Sequence, residues 1–466
     1  MQLSTLTDTI VAQATAPGTA AIAVIRVSGS NAIELVNSVF RGKDLRLQPS
    51  HTVHFGRILA PDGSVLDEVL VSLFRNPSSY TGEDTLEISC HGSPYIVRQC
   101  MQLFVSRGAR PAGPGEFTLR AFLNGKLDLS QAEAVADLIA ADSAAAHQVA
   151  MQQMRGGFSK KIQTLRGQLL DFASLIELEL DFSEEDVSFA NRDQLRQLIR
   201  DLMGTLDPLI ESFALGNVLK HGVSTVIAGR PNAGKSTLLN ALLQEDRAIV
   251  SDIAGTTRDT IEEVLHINGI PFRLIDTAGI REAQDQIEAI GVEKTLQKIA
   301  ESALLLYVFD VVATSPEEVR QDLRKLLRPD LHVLVLANKM DLNPYTRFEH
   351  YFPEGDNPGV TPEQWIPVAA IHDMNIPYLK EQLQQSVVSQ QVQSGDTIVS
   401  NIRHYDALCK ARESLTDVAQ GLDQGITSDF IAMDIRRALA WLGEITGDIS
   451  TEDLLGNIFG KFCIGK

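Results

Sequence analysis

The chain of 466 residues is poor in cysteine and has no long apolar run. None of its 4 cysteines lies at the spacing of a zinc site, and their number is too small for a disulfide framework. The most apolar stretch, at 302–312, is too short to span a bilayer. The first residues, MQLSTLTDTI, lack the basic segment of a signal peptide. These absences predict a cytoplasmic protein that does not use a membrane.

Positive charge is also scarce, since 41 Lys and Arg stand against 60 Asp and Glu and leave a net charge of −19. A broad nucleic-acid-coating surface needs the opposite balance, so that class of protein is excluded. Any RNA would have to meet a local basic patch or the surface of a partner. The 44% hydrophobic and 22% charged residues exclude wholesale disorder. A chain of this length is predicted to fold as two or three domains.

The residue pattern changes three times along the chain and predicts a multidomain fold, α/β plus all-α. Residues 1–126 contain short β-prone runs between Gly and Pro clusters, which indicates an α/β domain. Residues 127–216 and 385–466 have helical periodicity. Residues 217–384 alternate strand, loop and helix, which predicts a mostly parallel sheet. We expect the two helical segments to pack together, so that the 217–384 domain is an insertion in a helical domain.

Capping patterns predict where two of the helices begin and where one ends. Ser130 stands three residues before Glu133, and Ser450 three before Asp453, which is the spacing of a capping box. The last helix is predicted to end at Gly460, because glycine commonly closes helices. A short arm would follow.

The stretch GRPNAGKS at 229–236 has the phosphate-loop pattern of Gly, four residues and Gly-Lys-Ser. It stands between a predicted strand and a predicted helix, as such a loop requires. We expect its backbone amides to surround phosphates, Lys235 to neutralise charge on the β- and γ-phosphates, and the Ser236 hydroxyl to ligate Mg²⁺. The predicted nucleotide contacts of this segment are Asn232, Ala233, Gly234, Lys235, Ser236 and Thr237.

Two further segments indicate that the nucleotide is GTP. DTAG at 276–279 follows a predicted strand, where Asp276 would reach the magnesium ion and the Gly279 amide would face the γ-phosphate. NKMD at 338–341 closes a buried strand, and its Asp341 can accept from both N–H groups on the guanine edge. A fifth guanine contact is predicted from the backbone at Ala369 and Ala370. The predicted contacts are Asp276, Thr277, Ala278, Gly279, Asn338, Lys339, Asp341, Ala369 and Ala370.

The residues around these motifs do not supply the usual catalytic groups. Ile280 follows DTAG where Ras-like proteins carry a glutamine that orients water, and no arginine finger is evident. A monovalent cation on Asn232 could supply the missing positive charge. The segment SDIAGTTRD at 251–259 would line that cation, and its Thr257 would complete the magnesium sphere.

The segments PNAGKS, DIAGTTRD, DTAGIRE, PGEFTLRAFLNGKLDLSQAEAV and the final CIGK together resemble the tRNA-uridine modification GTPases of the MnmE/TrmE family. The resemblance implies an N-terminal folate-binding and dimerisation domain, a helical domain and an inserted Ras-like, potassium-activated GTPase domain. It implies a homodimer that forms a heterotetramer with an FAD-dependent protein of the MnmG/GidA family. Together they would place a carboxymethylaminomethyl or aminomethyl group on C5 of the wobble uridine of tRNA, using 5-formyl- or 5,10-methylene-tetrahydrofolate.

The resemblance also implies roles for individual residues. Glu288 would organise the attacking water, although the sequence alone makes it one exposed carboxylate among several. The catalytic residues are then Glu288, Cys463 and Lys235. The implied potassium ligands are Asn232, Ser251, Ile253 and Thr256, and the implied magnesium ligands are Ser236 and Thr257. The loop that contacts GTP would comprise Ser251, Asp252, Ile253, Ala254, Gly255, Thr256 and Thr257. The implied folate-binding residues are Arg26, Glu87, Lys126 and Lys466.

Two questions stay open at the level of sequence. Cys463 fits a prenylation signal poorly, because a glycine occupies an aliphatic position of the motif. It could be a small buried residue or a functional thiol, and the resemblance favours a thiol near the folate pocket. The chain as a whole could also be a non-modifying regulatory or ribosome-assembly GTPase switch, which would have no reason to bind folate.

Overall fold

A computed structural model describes residues 8–181, 192–243, 262–267, 269–276, 302–328, 331–387 and 398–465. The chain divides into two compact units. The first contains the chain up to Ala140, Ala150–Ile210 and the chain from Arg403 onwards. The second contains Ala141–Val149 and Glu211–Ile402. The predicted domain boundaries at 126, 216 and 384 stay predictions.

The first unit opens with a seven-stranded sheet in the order β3-β4-β5-β6-β2-β1-β7. All pairs are antiparallel except that between β1 and β7. The strands are β1 (Ile10–Gln13), β2 (Ile22–Ser28), β3 (Phe40–Arg41), β4 (Thr52–Leu59), β5 (Val65–Phe74), β6 (Thr85–His91) and β7 (Arg110–Pro111). Burial alternates along β4 and β5, as expected for a sheet with one face on the core.

One face of this sheet is covered by the first two helices. Helices α1 (Ala32–Val39) and α2 (Pro94–Ser106) bury side chains such as Val36 and Phe104 against Ile25 and Ile88 of the sheet. The other face carries Phe55 and Leu70, which pair across β4 and β5 and are 63% and 47% exposed. Arg26 and Glu87 pair across β2 and β6 on this second face.

The remaining helices of the first unit come from chain segments that precede and follow most of the second unit in sequence. They are α3 (Glu116–Leu123), α4 (Leu129–Ala140), α5 (Ala144–Met154), α6 (Gly157–Asp181), α7 (Arg192–His221), α12 (Ile402–Gln424), α13 (Ser428–Thr446) and α14 (Glu452–Phe459), of which α5, α7 and α12 extend into the second unit. Helix α13 packs along α6, and the buried Glu133 of α4 bonds to Arg403 and His404 of α12. The predicted packing of the two helical segments on one another is therefore confirmed.

Both capping-box predictions missed the residue that caps the helix. Helix α4 begins at Leu129, and the box is formed by Asp128 and Gln131, each of whose side chains accepts from the other's backbone N–H. Ser130 is instead buried, and its hydroxyl forms a hydrogen bond with the Ser159 hydroxyl, with 2.6 Å between the two oxygens. In α14 the cap is Thr451, which accepts from the Leu454 amide, and Ser450 lies one residue earlier. Neighbouring residues with capping side chains make this ambiguity unavoidable from sequence.

The second unit contains a six-stranded sheet in the order β13-β12-β11-β8-β10-β9, parallel except for the β9–β10 hairpin. Its strands are β8 (Val223–Ala228), β9 (Glu262–Ile267), β10 (Ile270–Asp276), β11 (Leu304–Asp310), β12 (His332–Asn338) and β13 (Trp365–Pro367). The accompanying helices are α8 (Lys235–Leu243), α9 (Pro316–Leu326), α10 (Phe348–Tyr351) and α11 (Ile376–Val387). Buried clusters on both faces of β11 confirm the predicted sheet with a core on either side. Among the residues described, no helix is long and apolar enough to cross a membrane.

Candidate functional site

The phosphate loop lies between the end of β8 and the start of α8, which the sequence predicts. Two of its glycines have no room for a side chain. A Cβ on Gly229 would lie 1.9 Å from the Val308 carbonyl oxygen, and one on Gly234 would lie 2.3 Å from Nδ2 of Asn338. Both have positive φ, +154° and +92°. Only glycine satisfies both conditions, so the loop can close tightly enough to present its amides to a phosphate.

Lys235 stands at the first position of α8 and is buried within this loop. Its Nζ donates to the carbonyl oxygens of Gly229 and Arg230, 2.9 Å from each. These bonds hold the ammonium group against the loop backbone. The positive charge is thus fixed at the loop and not carried on a free side chain.

Asn338, at the end of β12, joins two of the predicted nucleotide-binding segments. Its Nδ2 donates to the carbonyl of Ala233 in the phosphate loop (2.8 Å), and its Oδ1 accepts from the Ala370 amide (3.1 Å). The Ala369 amide donates to the Met374 carbonyl (3.3 Å). The structure therefore brings the predicted fifth segment beside NKMD, with both alanine amides engaged in bonds within the protein.

Lys339 and Asp341 complete this group at the same edge of the sheet. Lys339 has a left-handed backbone (φ +67°), and its Nζ lies 2.6 Å from Oδ2 of Asp310 at the end of β11. Burial would raise the pKa of Asp310, but bonds from Lys339 and from the Val312 and Ala313 amides outweigh it and lower that pKa. Asp341 is partly exposed, with Oδ2 3.9 Å from Nε2 of His372. Asp310 was missed from sequence, although it closes a buried strand as Asp276 does.

Arg230, inside the phosphate loop, was also missed. Its Nε donates to Oδ2 of Asp322 over 2.8 Å, and Nη1 contacts Glu318, one turn earlier on α9. The buried Tyr307 hydroxyl donates to the same Asp322 oxygen (2.8 Å). Burial and the nearby Asp322 charge raise the pKa of Tyr307. This network ties the loop to α9, and the only sequence signal was the spacing of two acids on one helix face.

Several predicted residues lie outside those the structure describes. They are Ser251, Asp252, Ile253, Ala254, Gly255, Thr256, Thr257, Thr277, Ala278, Gly279, Glu288 and Lys466. The backbone of Asp276 is described as the last residue of β10. Asn232 has a left-handed backbone (φ +62°), and the Ser236 and Thr237 positions open α8 behind Lys235.

A second group of predicted residues meets on the open face of the first unit's sheet. Arg26 donates from Nε and Nη2 to Oε1 of Glu87, over 3.0 and 2.8 Å. The Arg26 guanidinium lies 5.5 Å from the ring centre of Tyr80 and 5.6 Å from that of Phe117. Tyr80 and Phe117 were missed, because isolated aromatics in a sequence read as ordinary core.

An arm at residues 460–465 reaches this group. Helix α14 ends at Phe459 with Gly460 as its C-cap, as predicted, although Gly460 keeps a right-handed helical backbone. The Cys463 carbonyl accepts from the Gly115 amide (3.3 Å), and Ile464 forms a bridge with Pro114. The Gly465 carbonyl accepts from Nη1 of Arg26.

Cys463 is exposed on this arm. The interpretation of Cys463 as a small buried residue is therefore wrong. Gly465 has a positive φ of +97°, and a Cβ there would lie 2.3 Å from the Gln13 carbonyl oxygen. Backbone contacts and the packing of Phe462 on Phe459 thus seat the arm, and the Cys463 thiol stays accessible.

Lys126 lies apart from this group. Its Nζ donates to the Pro77 carbonyl over 2.9 Å, and the residue lines a polar cavity of about 550 Å³. The contacts described in the structure do not join Lys126 to Arg26 or Glu87. Of the three predicted folate residues that the structure describes, it brings together Arg26 and Glu87.

Comparisons with known proteins cover nearly the whole chain. A family model described as the GTP-binding protein TrmE N-terminus matches residues 9–126, and one described as the MnmE helical domain matches 129–463. A tRNA modification GTPase MnmE from Cytophaga hutchinsonii is 53% identical, over 99% of this chain and 98% of the relative. The protein of the same name from Christiangramia forsetii is 52% identical, over 99% and 100%. The solved structure of Aquifex aeolicus Era bound to GDP.AlF4- is 25% identical, over 41% of this chain and 66% of that one, and its TM-score is only 0.28. The chain therefore belongs to the MnmE family of tRNA modification GTPases.

Proposed function

We propose that this GTPase is activated by potassium and, with an FAD-dependent MnmG/GidA-family partner, modifies C5 of the wobble uridine of certain tRNAs with a one-carbon unit from tetrahydrofolate. The observation that carries the proposal is the seating of the 460–465 arm beside the Arg26–Glu87 pair. The segment seated there carries the exposed Cys463, in a chain that also holds a phosphate loop. Family membership in tRNA modification excludes the alternative of a non-modifying or ribosome-assembly switch. A tRNA substrate is consistent with action in the cytoplasm.

We infer that GTP and Mg²⁺ bind at the phosphate loop, because the close approach and positive φ of Gly229 and Gly234 fit a loop that folds its amides around a phosphate. In this assignment Lys235 pairs with the β- and γ-phosphates, and Ser236 and Thr257 hold the magnesium ion. The ion would neutralise charge on the phosphates. Asp341 accepts from the guanine edge, and the Asn338 amide holds the phosphate loop in place beside it.

The proposed potassium ligands are Asn232, Ser251, Ile253 and Thr256. Asn232 supports this assignment, because it is an amide-bearing residue with a left-handed backbone inside the phosphate loop. A bound cation would supply the positive charge that an arginine finger supplies elsewhere. Glu288 would then orient the attacking water, since Ile280 has no group that can bond to it.

The open sheet face has the chemistry for a folate. A pterin ring presents amino and ring N–H groups from which a carboxylate such as Glu87 can accept, and the partly buried ring of Tyr80 offers apolar surface beside it. The glutamate of folate is anionic and would pair with cations, for which Arg26, Lys126 and Lys466 are the candidates. A bound tetrahydrofolate would supply a one-carbon unit near Cys463.

The same face supports a homodimer. Phe55 and Leu70 are paired and exposed, and Val53 beside them on β4 is 61% exposed. Large apolar side chains grouped on an open sheet face mark a contact surface. Two protomers that meet there, each with an FAD-dependent partner, would form the heterotetramer.

The decisive experiment is Cys463→Ser in the full-length protein. We expect unchanged thermal stability and GTP turnover but loss of the modified wobble nucleoside in a strain that carries only this variant, because the exposed thiol packs against no core. Parallel loss of stability and both activities would assign Cys463 to packing. Normal nucleoside content would remove the thiol from the chemistry.

A further inference from the structure

The polar cavity that Lys126 lines lies where three turns of the first unit meet. These turns follow α3, α5 and α13, and each contains a glycine with positive φ: Gly125 (+66°), Gly156 (+76°) and Gly447 (+86°). Its volume of about 550 Å³ is that of a small-molecule or nucleotide site. The other lining residues are Phe122, Lys126, Leu127, Asp128, Gln131, Arg155, Ser159, Lys160, Gln163, Thr446 and Asp448.

Hydrogen bonds between side chain and backbone fix the walls of this cavity. The Gln131 side chain accepts from the Asp128 amide (3.0 Å) and donates to the Met154 carbonyl (3.1 Å), which ties the start of α4 to the end of α5. Asp448 accepts from Arg166 of α6 (3.0 Å) and from the Thr446 hydroxyl (2.9 Å). The cavity is therefore built before any ligand enters.

The cations that line the cavity outnumber the acids that remain unpaired. Asp448 forms an ion pair with Arg166, whereas Asp128 accepts from the backbone amide of Gln131 and keeps its charge. Arg155 and Lys160 are exposed, and among the described residues neither side chain has a hydrogen bond or ion pair. An anion in the cavity would meet these two cations directly.

The surrounding segment has the opposite charge balance to the chain. Between Ser143 and Leu170 stand Arg155, Lys160, Lys161 and Arg166 but no Asp or Glu, whereas the whole chain has a net charge of −19. An acidic protein repels RNA over most of its surface, so a contact with phosphates needs a local concentration of cations. This segment provides one.

We propose that this cavity, with Arg155 and Lys160 at its rim, binds backbone phosphates of the tRNA substrate. The inference rests on the proposed function, because it takes tRNA as the molecule that the chain itself contacts. Each cation that neutralises a phosphate releases a condensed counterion, so the interaction strengthens as salt is lowered.

The test is the double variant R155Q/K160Q of the full-length protein, titrated against a labelled tRNA transcript with uridine at the wobble position. We expect about a tenfold weaker affinity at moderate salt and a salt slope reduced by about 0.7 to 0.9 for each phosphate that is no longer neutralised. R155K/K160R should keep the affinity, since it keeps both charges. The matched control is K43Q/R107Q, which removes two exposed cations of the first unit that do not line the cavity and should leave affinity unchanged.

Stability and GTP turnover should be unchanged in all three variants. An unchanged affinity and slope for R155Q/K160Q, or an equal loss in K43Q/R107Q, would overturn the proposal. Weaker binding of 5-formyl-tetrahydrofolate with tRNA affinity intact would make the occupant a folate carboxylate and would also overturn it. A different result would contradict the proposed function itself. In that case a strain that lacks the protein would keep its full content of modified wobble uridine.

Discussion

Nη1 of Arg26 donates a hydrogen bond to the carbonyl of Gly465 over 3.3 Å, although 439 positions separate the two residues. The same guanidinium is held by Glu87. One side chain thus links the second strand of the sheet to an arm that begins after the last helix. The arrangement makes the arm part of the surface on which we expect folate to bind.

We expect Gly465→Val to unseat the arm, because valine disfavours positive φ and its Cβ would clash with the Gln13 carbonyl. The affinity for 5-formyl-tetrahydrofolate should fall about tenfold while GTP turnover stays normal, a difference of about 1.4 kcal/mol in binding. The matched control is Gly63→Val, at a positive φ of +83° with nothing within 4 Å of the added carbon. If both variants bind folate equally, the arm has no part in the pocket.

Asp341→Asn should weaken GTP binding and favour xanthosine triphosphate, because the change replaces an acceptor with a donor at the purine edge. A charge-assisted pair of this kind should contribute on the order of 2–4 kcal/mol. Competition between the two nucleotides measures the switch directly. Unchanged GTP affinity would show that Asp341 does not contact the base.

Potassium should accelerate GTP hydrolysis and sodium should not, because the proposed cage selects an ion by size. Asn232→Ala should abolish the difference while the phosphate-loop lysine is retained. Turnover measured at equal ionic strength in the two salts tests this. Equal rates in sodium and potassium for the unaltered protein would remove the cation from the mechanism.

Glu288→Ala should lower GTP turnover strongly and leave GTP affinity nearly normal, which is the pattern of a group that acts only in the transition state. Single-turnover hydrolysis and nucleotide binding on the same preparation separate the two effects. A large loss of affinity with little change in rate would assign Glu288 to structure.

Glu133 should make the first unit sensitive to acid. Burial would raise its pKa, but His404 and Arg403 outweigh it and lower the pKa from 4.5 to about 2. Because the folded-state pKa is depressed, the stabilisation is fully present above pH 4.5 and is lost as the pH falls towards 2. It amounts to roughly 3 kcal/mol.

Glu133→Gln isolates this contribution. Thermal midpoints of the unaltered protein and the variant, measured from about pH 7 to about pH 3, should converge as the pH falls. Parallel profiles would contradict the assignment.

The motifs of the second unit could be predicted from sequence because backbone geometry leaves few alternatives. Positions 229 and 234 have positive φ and neighbouring atoms too close for a Cβ, so the sequence must contain glycine there. The first unit's surface could not be predicted in the same way. Tyr80 and the buried Phe117 pack around Arg26 through long-range contacts, and nothing local in the sequence marks either residue as part of the site. Arg230 was missed because its partners lie on another helix.

The seating of residues 460–465 has a consequence for how the protein matures on the ribosome. Domains generally fold in the order of synthesis, so the sheet that carries Arg26 forms long before the arm emerges. The GTPase motifs are complete by then as well. A chain that ends before Cys463 would keep the GTPase motifs but lack the exposed thiol of the arm. If Cys463 acts in the chemistry as we propose, GTP hydrolysis in such a product would be uncoupled from tRNA modification.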